Sequence, residues 1–262
     1  MRVYSLGSPF GCVPCHALAK GMKAPYSEEP RVRFDGDPIA VWGQLRGAKE
    51  LLSHSKNFYR MDHAYIGRLK YFRITKGDFQ PSKIVERPAD RWDRLKDEFK
   101  LEMKPWTTGK HVLVTLSAQA TYWFFNVDDF PARIEKEIRK YTDRPIKVRQ
   151  RDAKNPIAED LKDAHCLVTY ASNSAIDALM GGVPVFTLGP SIARPMGSDV
   201  SRIESPLYPE NREEFFRHMA YAQFTTEEFR SGFALTTADE NNKNGDFDLL
   251  RAANGGSQLA RP

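Results

Sequence analysis

Three stretches of this chain carry residue types at spacings that chemistry uses. Near the start, GCVPCH spaces Cys12 and Cys15 as C-x-x-C with His16 directly after. Covalent haem attachment and dithiol redox chemistry both employ that pattern, and a purely structural loop also produces it. Further on, YRMDHAYIGR sets Asp62 beside His63 in an aromatic, Gly-bounded stretch. A carboxylate or imidazole is the kind of group that takes a proton from a hydroxyl, so Asp62 is the preferred base and His63 its substitute. The third stretch, TYASNSAIDALMGG, leaves an apolar strand through Tyr170, Ser172, Asn173 and Ser174 and enters a helix. Small polar residues there let an anion approach the backbone, and a helix start favours phosphate. Asp177, one turn inside, is placed to reach a ribose hydroxyl, while Gly181 and Gly182 end the helix tightly. An ordinary crossover with a Ser/Asn cap has the same appearance. Asp35 and Asp37, in RFDGDP, read as turn formers rather than bases.

The elements that must hold these residues follow from periodicity. Val3–Leu6 reads as a strand, and a helix around Cys15–Met22 follows a Gly/Ser/Pro turn. PIAVWGQLRG is a short buried strand and AKELLSHSK the next helix. NFYRMDHAYIGRLKYFRITKGDFQP, rich in aromatic and β-branched residues and broken by Gly67 and Gly77, reads as strands and loops. PADRWDRLKDEF is helical, and MKPWTTGKH is a connector that marks a domain boundary near Lys104–Gly109. Beyond it, strand and helix alternate: HVLVTLSAQ, then VDDFPARIEKEIRKY with Phe130, Ile134 and Ile138 four apart, then PIKVRQR, NPIAEDLKDA, HCLVTYAS, NSAIDALMGG and VPVFTLG. Such alternation predicts a parallel α/β sheet whose ligands gather at the carboxyl ends of its strands. In FRHMAYAQFTTEEFRSG, Thr225 and Glu228 form a capping box. The division predicted is therefore 1–108, 109–233 and a polar, mobile tail 234–262.

With 262 residues, 41% hydrophobic and 28% charged, the chain is long enough for two lobes with real cores. No apolar run reaches the ~18–20 residues of a membrane span, and the first residues lack a secretory signal. Three cysteines make no disulfide framework, so a cytoplasmic protein is expected. The net charge of +5 is unevenly placed: residues 1–108 hold 20 Lys+Arg against 13 Asp+Glu, and residues 109–262 hold 19 against 21. A basic first lobe either suits an anionic partner such as nucleic acid or is simply a solvated face.

The run DAHCLVTYASNSAIDALMGGVPVFTLG resembles the nucleotide-sugar half-site of GT-B glycosyltransferases, where S-x-x-x-E-A-x-x-x-G-V-P is common. Asp177, Ala178, Gly182, Val183 and Pro184 stand in those places, with Ser174 one residue nearer to Asp177 than the pattern has it and Asp177 where that family usually has Glu. The similarity spans roughly residues 110–233 and implies two Rossmann-like lobes with parallel sheets and a cleft between them. It implies a UDP-sugar donor held by Ser117, Arg149, Tyr170, the 172–174 turn, Asp177 and Gly182, with Arg151 and Arg194 in reserve. No metal or other cofactor is required on this reading, because arginine and helix dipole hold the diphosphate. The basic lobe interleaves Arg60, Arg68, Lys70, Arg73 and Lys76 with Tyr59, Tyr65, Tyr71 and Phe72, the composition of a face that grips DNA and stacks an extruded base. This resembles the bacteriophage DNA glucosyltransferases, whose acceptor is a hydroxymethylated pyrimidine; a surface saccharide is the rival acceptor.

The opening VYSLGSPFGCVPCHALAKGM also resembles the first strand and helix of glutaredoxins, which implies a dithiol oxidoreductase using Cys12 and Cys15. That fold is complete in half this length, and the favoured alternative makes GSPFG a structural loop in which Ser8 and Gly11 border the acceptor. A zinc site lacks two ligands, since Cys166 lies in a buried strand. A non-catalytic nucleic-acid-binding module and a nucleotide-sugar epimerase complete the alternatives.

Overall fold

The computed structural model of the protein describes residues 1–44, 47–81 and 83–242. The chain folds into two compact units, Met1–Leu95 with Arg217–Pro262, and Lys96–Phe216. The first unit begins β1 (Arg2–Tyr4), α1 (Cys12–Gly21), β2 (Tyr26–Ser27), β3 (Ile39–Trp42), α2 (Ala48–His54), β4 (Phe58–His63) and β5 (Phe72–Lys76), and α3 (Asp90–Phe99) leads out of it. The second unit holds β6 (His111–Thr115), α4 (Gln119–Phe124), α5 (Phe130–Ile138), β7 (Ile146–Arg149), α6 (Ile157–Asp160), β8 (Ala164–Thr169), α7 (Ser174–Met180) and β9 (Val185–Thr187). Helix α8 (Arg212–Ala220) leads back, and β10 (Gln223–Phe224), α9 (Thr226–Arg230) and α10 (Phe233–Asn242) complete the first unit.

In the second unit the sheet order is β7-β6-β8-β9, all parallel. Strands β6 and β8 are buried at every position, as a strand covered on both faces must be, which is why they read as continuous apolar runs. Helix α5 buries Phe130, Ile134 and Ile138, the predicted stripe, each side chain contributing about 1.5–3 kcal/mol of burial.

The first unit departs from the predicted all-parallel sheet. Its order is β10-β5-β4-β3-β1-β2; β2, β1, β3 and β4 run parallel, but β5 is antiparallel to β4 and β10 to β5. The connection 64–71 between β4 and β5 is shorter than the dozen or so residues a parallel crossover takes.

The chain division also differs from the predicted 1–108 and 109–233, because the C-terminal helices return to the first unit. Buried Arg91 on α3 anchors them: it donates to the carbonyls of Ala220 (3.0 Å) and Gln223 (2.7 Å) and pairs with Glu228. Glu228 at the same time closes the predicted capping box with Thr225. Residues 234–242 of the predicted mobile tail form most of α10, which buries Ala234, Thr237 and Ala238. Tyr59 donates to Asp239 at 2.6 Å and Arg87 pairs with Glu240 at 2.8 Å, so this helix is bound by polar as well as apolar contacts. Residues 243–262 of that tail lie outside the described residues. Among the described residues no helix is long and apolar enough to cross a membrane.

Candidate active site

Parallel strands deliver their carboxyl ends to one edge of a sheet, and each unit has such an edge. In the second unit, β6 ends toward Ser117 and β8 runs out through Tyr170 into the 172–174 turn. The hydroxyls there serve the turn itself. Ser117 Oγ accepts from the Ala171 amide (3.2 Å), Thr169 Oγ1 from the Ser172 amide (3.3 Å) and Ser172 Oγ from the Ser174 amide (3.2 Å). The Thr115 hydroxyl meets that of Ser174, at the start of α7, at 2.6 Å, and Thr169 Oγ1 donates to Thr115 O at 2.7 Å. The predicted anion cradle is therefore a self-satisfied knot of hydroxyls that tie β6 to β8, with Asn173 exposed at its tip.

Two charged residues flank this knot. Arg149, at the end of β7, pairs with Asp160 and donates to Asn155 Oδ1 (3.1 Å) and Asn155 O (2.6 Å), which fixes its guanidinium. Asp177, in the first turn of α7, keeps an accessible side chain but is crowded by protein. Desolvation pushes its carboxyl up to about 6, against an opposing pull from the Arg149 charge. A carboxyl raised in this way beside a fixed arginine is the combination functional sites build. Arg151, just past β7, and Arg194, beyond β9, are exposed.

Two predicted donor residues have other employment. Tyr170 is buried in an aromatic cluster with Tyr122, Phe125 and Phe130, ring centroids 5.2–5.9 Å away, and burial pushes its phenol up to about 12. Gly182 has φ +76° at the amino start of β9, where a methyl group would overlap the Pro105 carbonyl. Its own carbonyl accepts from the Thr107 amide at 2.8 Å. Backbone packing, not a ligand, demands glycine there.

In the first unit the carboxyl edge gathers Ser8, Gly11, Trp42 and His63. His63 ends β4, with its ring edge-on to Trp42 (5.2 Å) and to Phe10 (5.3 Å). Gly11 is required because a methyl there would fall inside the Trp42 ring; its amide faces Ser8, whose Oγ accepts at 3.3 Å. Asp62 faces the opposite way chemically. Its carboxylate pairs with Arg60 and with Arg73 (2.9 Å) and accepts from the His63 amide at 2.8 Å. Burial opposes its ionisation, but the charges of Arg73 and Arg60 outweigh it and hold the carboxyl well below the usual range. Such a carboxylate is too weakly basic to accept a hydroxyl proton efficiently, so the geometry makes Asp62 a counterion rather than the predicted base.

The same network corrects the predicted acceptor face. Arg60 is 1% exposed, donates to Phe79 O at 3.1 Å and lies 4.5 Å over the Phe79 ring. Arg73 is buried under Tyr65, 5.1 Å from its centroid. Neither reaches a ligand surface; Arg68 and Lys70 are exposed. Asp35 pairs with Arg2 at 3.0 Å and Asp37 accepts from Ser55 and from the Lys56 amide, the structural employment expected of turn residues.

The cysteines are free. Cys15 is fully buried, directed at Tyr4 O (3.7 Å) and Met61 Sδ (3.8 Å), and burial pushes its thiol far up, which makes it inert. Cys12 donates to Pro9 O at 3.1 Å. Phe10 and Trp42, which sequence reasoning did not single out, pack on His63 at this edge; the signal was an aromatic between Pro9 and Gly11 just past a strand end, and a Trp-Gly at another.

A hollow of about 650 Å³ lies instead at the opposite, amino edge of the second unit, lined by Lys110, Arg139, Lys140, Arg144 and Glu204 among others. Its cations are engaged: Lys140 with Glu137 (2.6 Å), Arg144 with Glu204 (3.0 Å) and Arg139 with Arg144 O (2.6 Å). Volume without convergent chemistry does not make it the site.

Neither a scan against family models nor a search of curated proteins found a match. Among solved structures, the chain is similar to Thermosulfurimonas dismutans KpsC, beta Kdo 2,7 transferase, with TM-score 0.54 and 12% identity over 91% of this chain and 99% of that one. It is also similar to the same organism's KpsC, beta Kdo 2,4 transferase, with TM-score 0.50 and 12% identity over 86% and 92%. At such identity the likeness is one of fold: an α/β architecture shared with these two chains along most of this one.

Proposed function

We propose that the protein is a glycosyltransferase that moves a sugar from a nucleotide-activated donor to a hydroxyl of a saccharide acceptor. The observation that carries this reading is the fold likeness to two Kdo transferases, which takes in both units rather than one generic sheet. The donor is assigned to the carboxyl edge of the second unit, with Arg149 and Arg151 offsetting charge on the departing phosphate and Asp177 meeting the ribose. Ser117 and residues 172–174 shape that edge. A UDP-sugar and CMP-activated Kdo are the donors to test first.

A saccharide is favoured over a modified DNA base because two of the five arginines and lysines assigned to DNA, Arg60 and Arg73, are buried against protein. A face that has lost two of five phosphate contacts loses much of its electrostatic affinity.

The test is mass spectrometry after incubation with CMP-Kdo and a UDP-hexose panel. The acceptors are Kdo methyl glycoside, neutral methyl hexosides and 5-hydroxymethylcytosine DNA. Gain of one sugar residue on a glycoside is expected. Gain on DNA alone would restore the base acceptor, and no nucleotide release with any pair would remove glycosyl transfer.

A further inference from the structure

The hollow at the amino edge of the second unit runs no transfer chemistry, but holding a ligand asks for less than reacting with one. It is built where α5 ends and β7 begins. Residues 139–151 carry 6 Lys+Arg against 1 Asp+Glu, while the remainder of residues 109–262 carries 13 against 20. Positive charge is thus gathered into one short segment of a stretch that is otherwise acidic, and a concave surface focuses such a field on an anion. The volume of about 650 Å³ lies in the range of small-ligand sites.

The rim is tied in place. Arg144 donates to Gly109 O at 3.2 Å and pairs with Glu204 at 3.0 Å; its amide donates to Thr142 Oγ1 at 3.1 Å, and the Thr142 hydroxyl donates to Glu204. The other pairs that engage cations here lie in water. Lys110 is 85% exposed and 3.6 Å from Asp163, and Lys140 is 56% exposed beside Glu137. Surface pairs of this kind contribute little, so a ligand's carboxylates can take the place of the protein's. Arg139 is exposed, and its partner is a carbonyl, Arg144 O at 2.6 Å. A guanidinium has five N–H donors, which leaves Arg139 enough of them for a two-point contact with a carboxylate. Tyr141, 37% exposed, sets an aromatic ring among these cations.

Resting on the reading of the acceptor as a saccharide, we infer that this hollow binds an acidic saccharide, with Arg139 and Lys140 meeting carboxylates of the sugar residues and the Tyr141 ring lying against a sugar face. It is a holding site, set apart from the donor edge of the same sheet by the length of β6, five residues or about 17 Å. Asp143 and Glu204 offset two of the four lining cations, so the net charge of the hollow calls for an anionic ligand rather than a neutral one. Nucleic acid matches that charge but not the lining. Single strands are gripped by successive aromatic side chains, and Tyr141 is the one aromatic among the described residues that line the hollow.

The test is calorimetric titration of the full chain, with no donor present, using tetragalacturonate, which has a carboxylate on every ring, neutral maltotetraose and an octathymidylate. Tetragalacturonate is expected to bind and to weaken as salt is raised; maltotetraose is expected not to bind. R139Q/K140Q is expected to raise the tetragalacturonate Kd about tenfold, and Y141A about threefold. K20Q/K56Q, which removes the same charge from exposed positions of the first unit, should leave it unchanged. Equal weakening by the two charge pairs overturns the site, because the attraction is then that of net charge alone. Failure of tetragalacturonate to bind also overturns it, as does maltotetraose binding equally well. Tighter binding of the octathymidylate, lost in R139Q/K140Q, makes the occupant a nucleic acid and overturns the saccharide. Binding and transfer fail separately. A chain that holds tetragalacturonate through Arg139 and Lys140 but turns over no donor loses the transfer reading and keeps this site, whereas one that turns over donor and holds no acidic saccharide loses this site alone.

Discussion

His218 offers a quantitative check on the packing of the first unit, because its environment refuses a proton. It lies on α8, 1% exposed, and its Nδ1 accepts from the Val85 amide at 3.3 Å. Desolvation, then the nearby Arg87 charge, pull the imidazole from 6.5 down to about 4. A lowered pKa means that the unfolded chain takes the proton first. The stability contribution is therefore whole above about pH 6.5 and is lost as pH falls toward 4. A tenfold change in proton affinity is worth about 1.36 kcal/mol, so the full window carries about 3 kcal/mol, of which about 2.5 kcal/mol is gone by pH 4.5. The perturbation is His218→Asn, whose Oδ1 can still accept from Val85 but cannot titrate. Urea unfolding of both proteins between pH 7.5 and 4.5 isolates the contribution, since carboxylates elsewhere act equally in each. Wild type should lose about 2–3 kcal/mol relative to the variant on acidification. Parallel stability curves across that range would mean that His218 is solvated and that the segment around Val85 does not cover it.

Three further perturbations separate structural from chemical roles. Asp62→Asn leaves Arg60 and Arg73 without a counterion and should cost about 3–5 kcal/mol in chemical denaturation; an unchanged midpoint with lost turnover would return Asp62 to catalysis. Gly182→Ala forces a methyl onto the Pro105 carbonyl at positive φ and should lower stability by about 1–3 kcal/mol, with donor binding by calorimetry unaltered in the protein that remains folded. Asp177→Asn has the opposite sign. A raised carboxyl costs stability as pH rises through about 6, so the variant should be more stable than wild type at pH 7.5, equal to it near pH 4, and weaker in donor binding. A variant with no stability gain at pH 7.5 would show that solvent already satisfies the charge.

The second unit was legible because its signals are local. Continuous apolar runs in HVLVT and AHCLVT, a stripe at Phe130, Ile134 and Ile138, and glycines after Met180 each specify their own element. The first unit was legible only in pieces. Nothing in NFYRMDHAYIGRLKYFRITK states that its second half turns back antiparallel, beyond the shortness of the connection. The return of residues 217–242 depends on Arg91, Gln223 and Asp239, whose partners lie far away in sequence. A polar composition such as TTADENN predicts exposure, yet the helix buries two alanines and a threonine and is tied down through Asp239 and Glu240.

The site shows the same limit at the level of charge. In a string of aromatics and arginines, composition counts Arg60, Asp62 and Arg73 as a basic face with a carboxylate beside it. Strand geometry decides otherwise. Arg60 and Asp62 are two apart on β4 and share a face, and the antiparallel register sets Arg73 directly opposite Asp62. The three side chains must then meet, and burial leaves them no partner better than one another. That pairing depends on β5 running backward, which periodicity does not encode. The pleat turns the next residue along the strand, His63, away from Asp62 and toward Phe10 and Trp42.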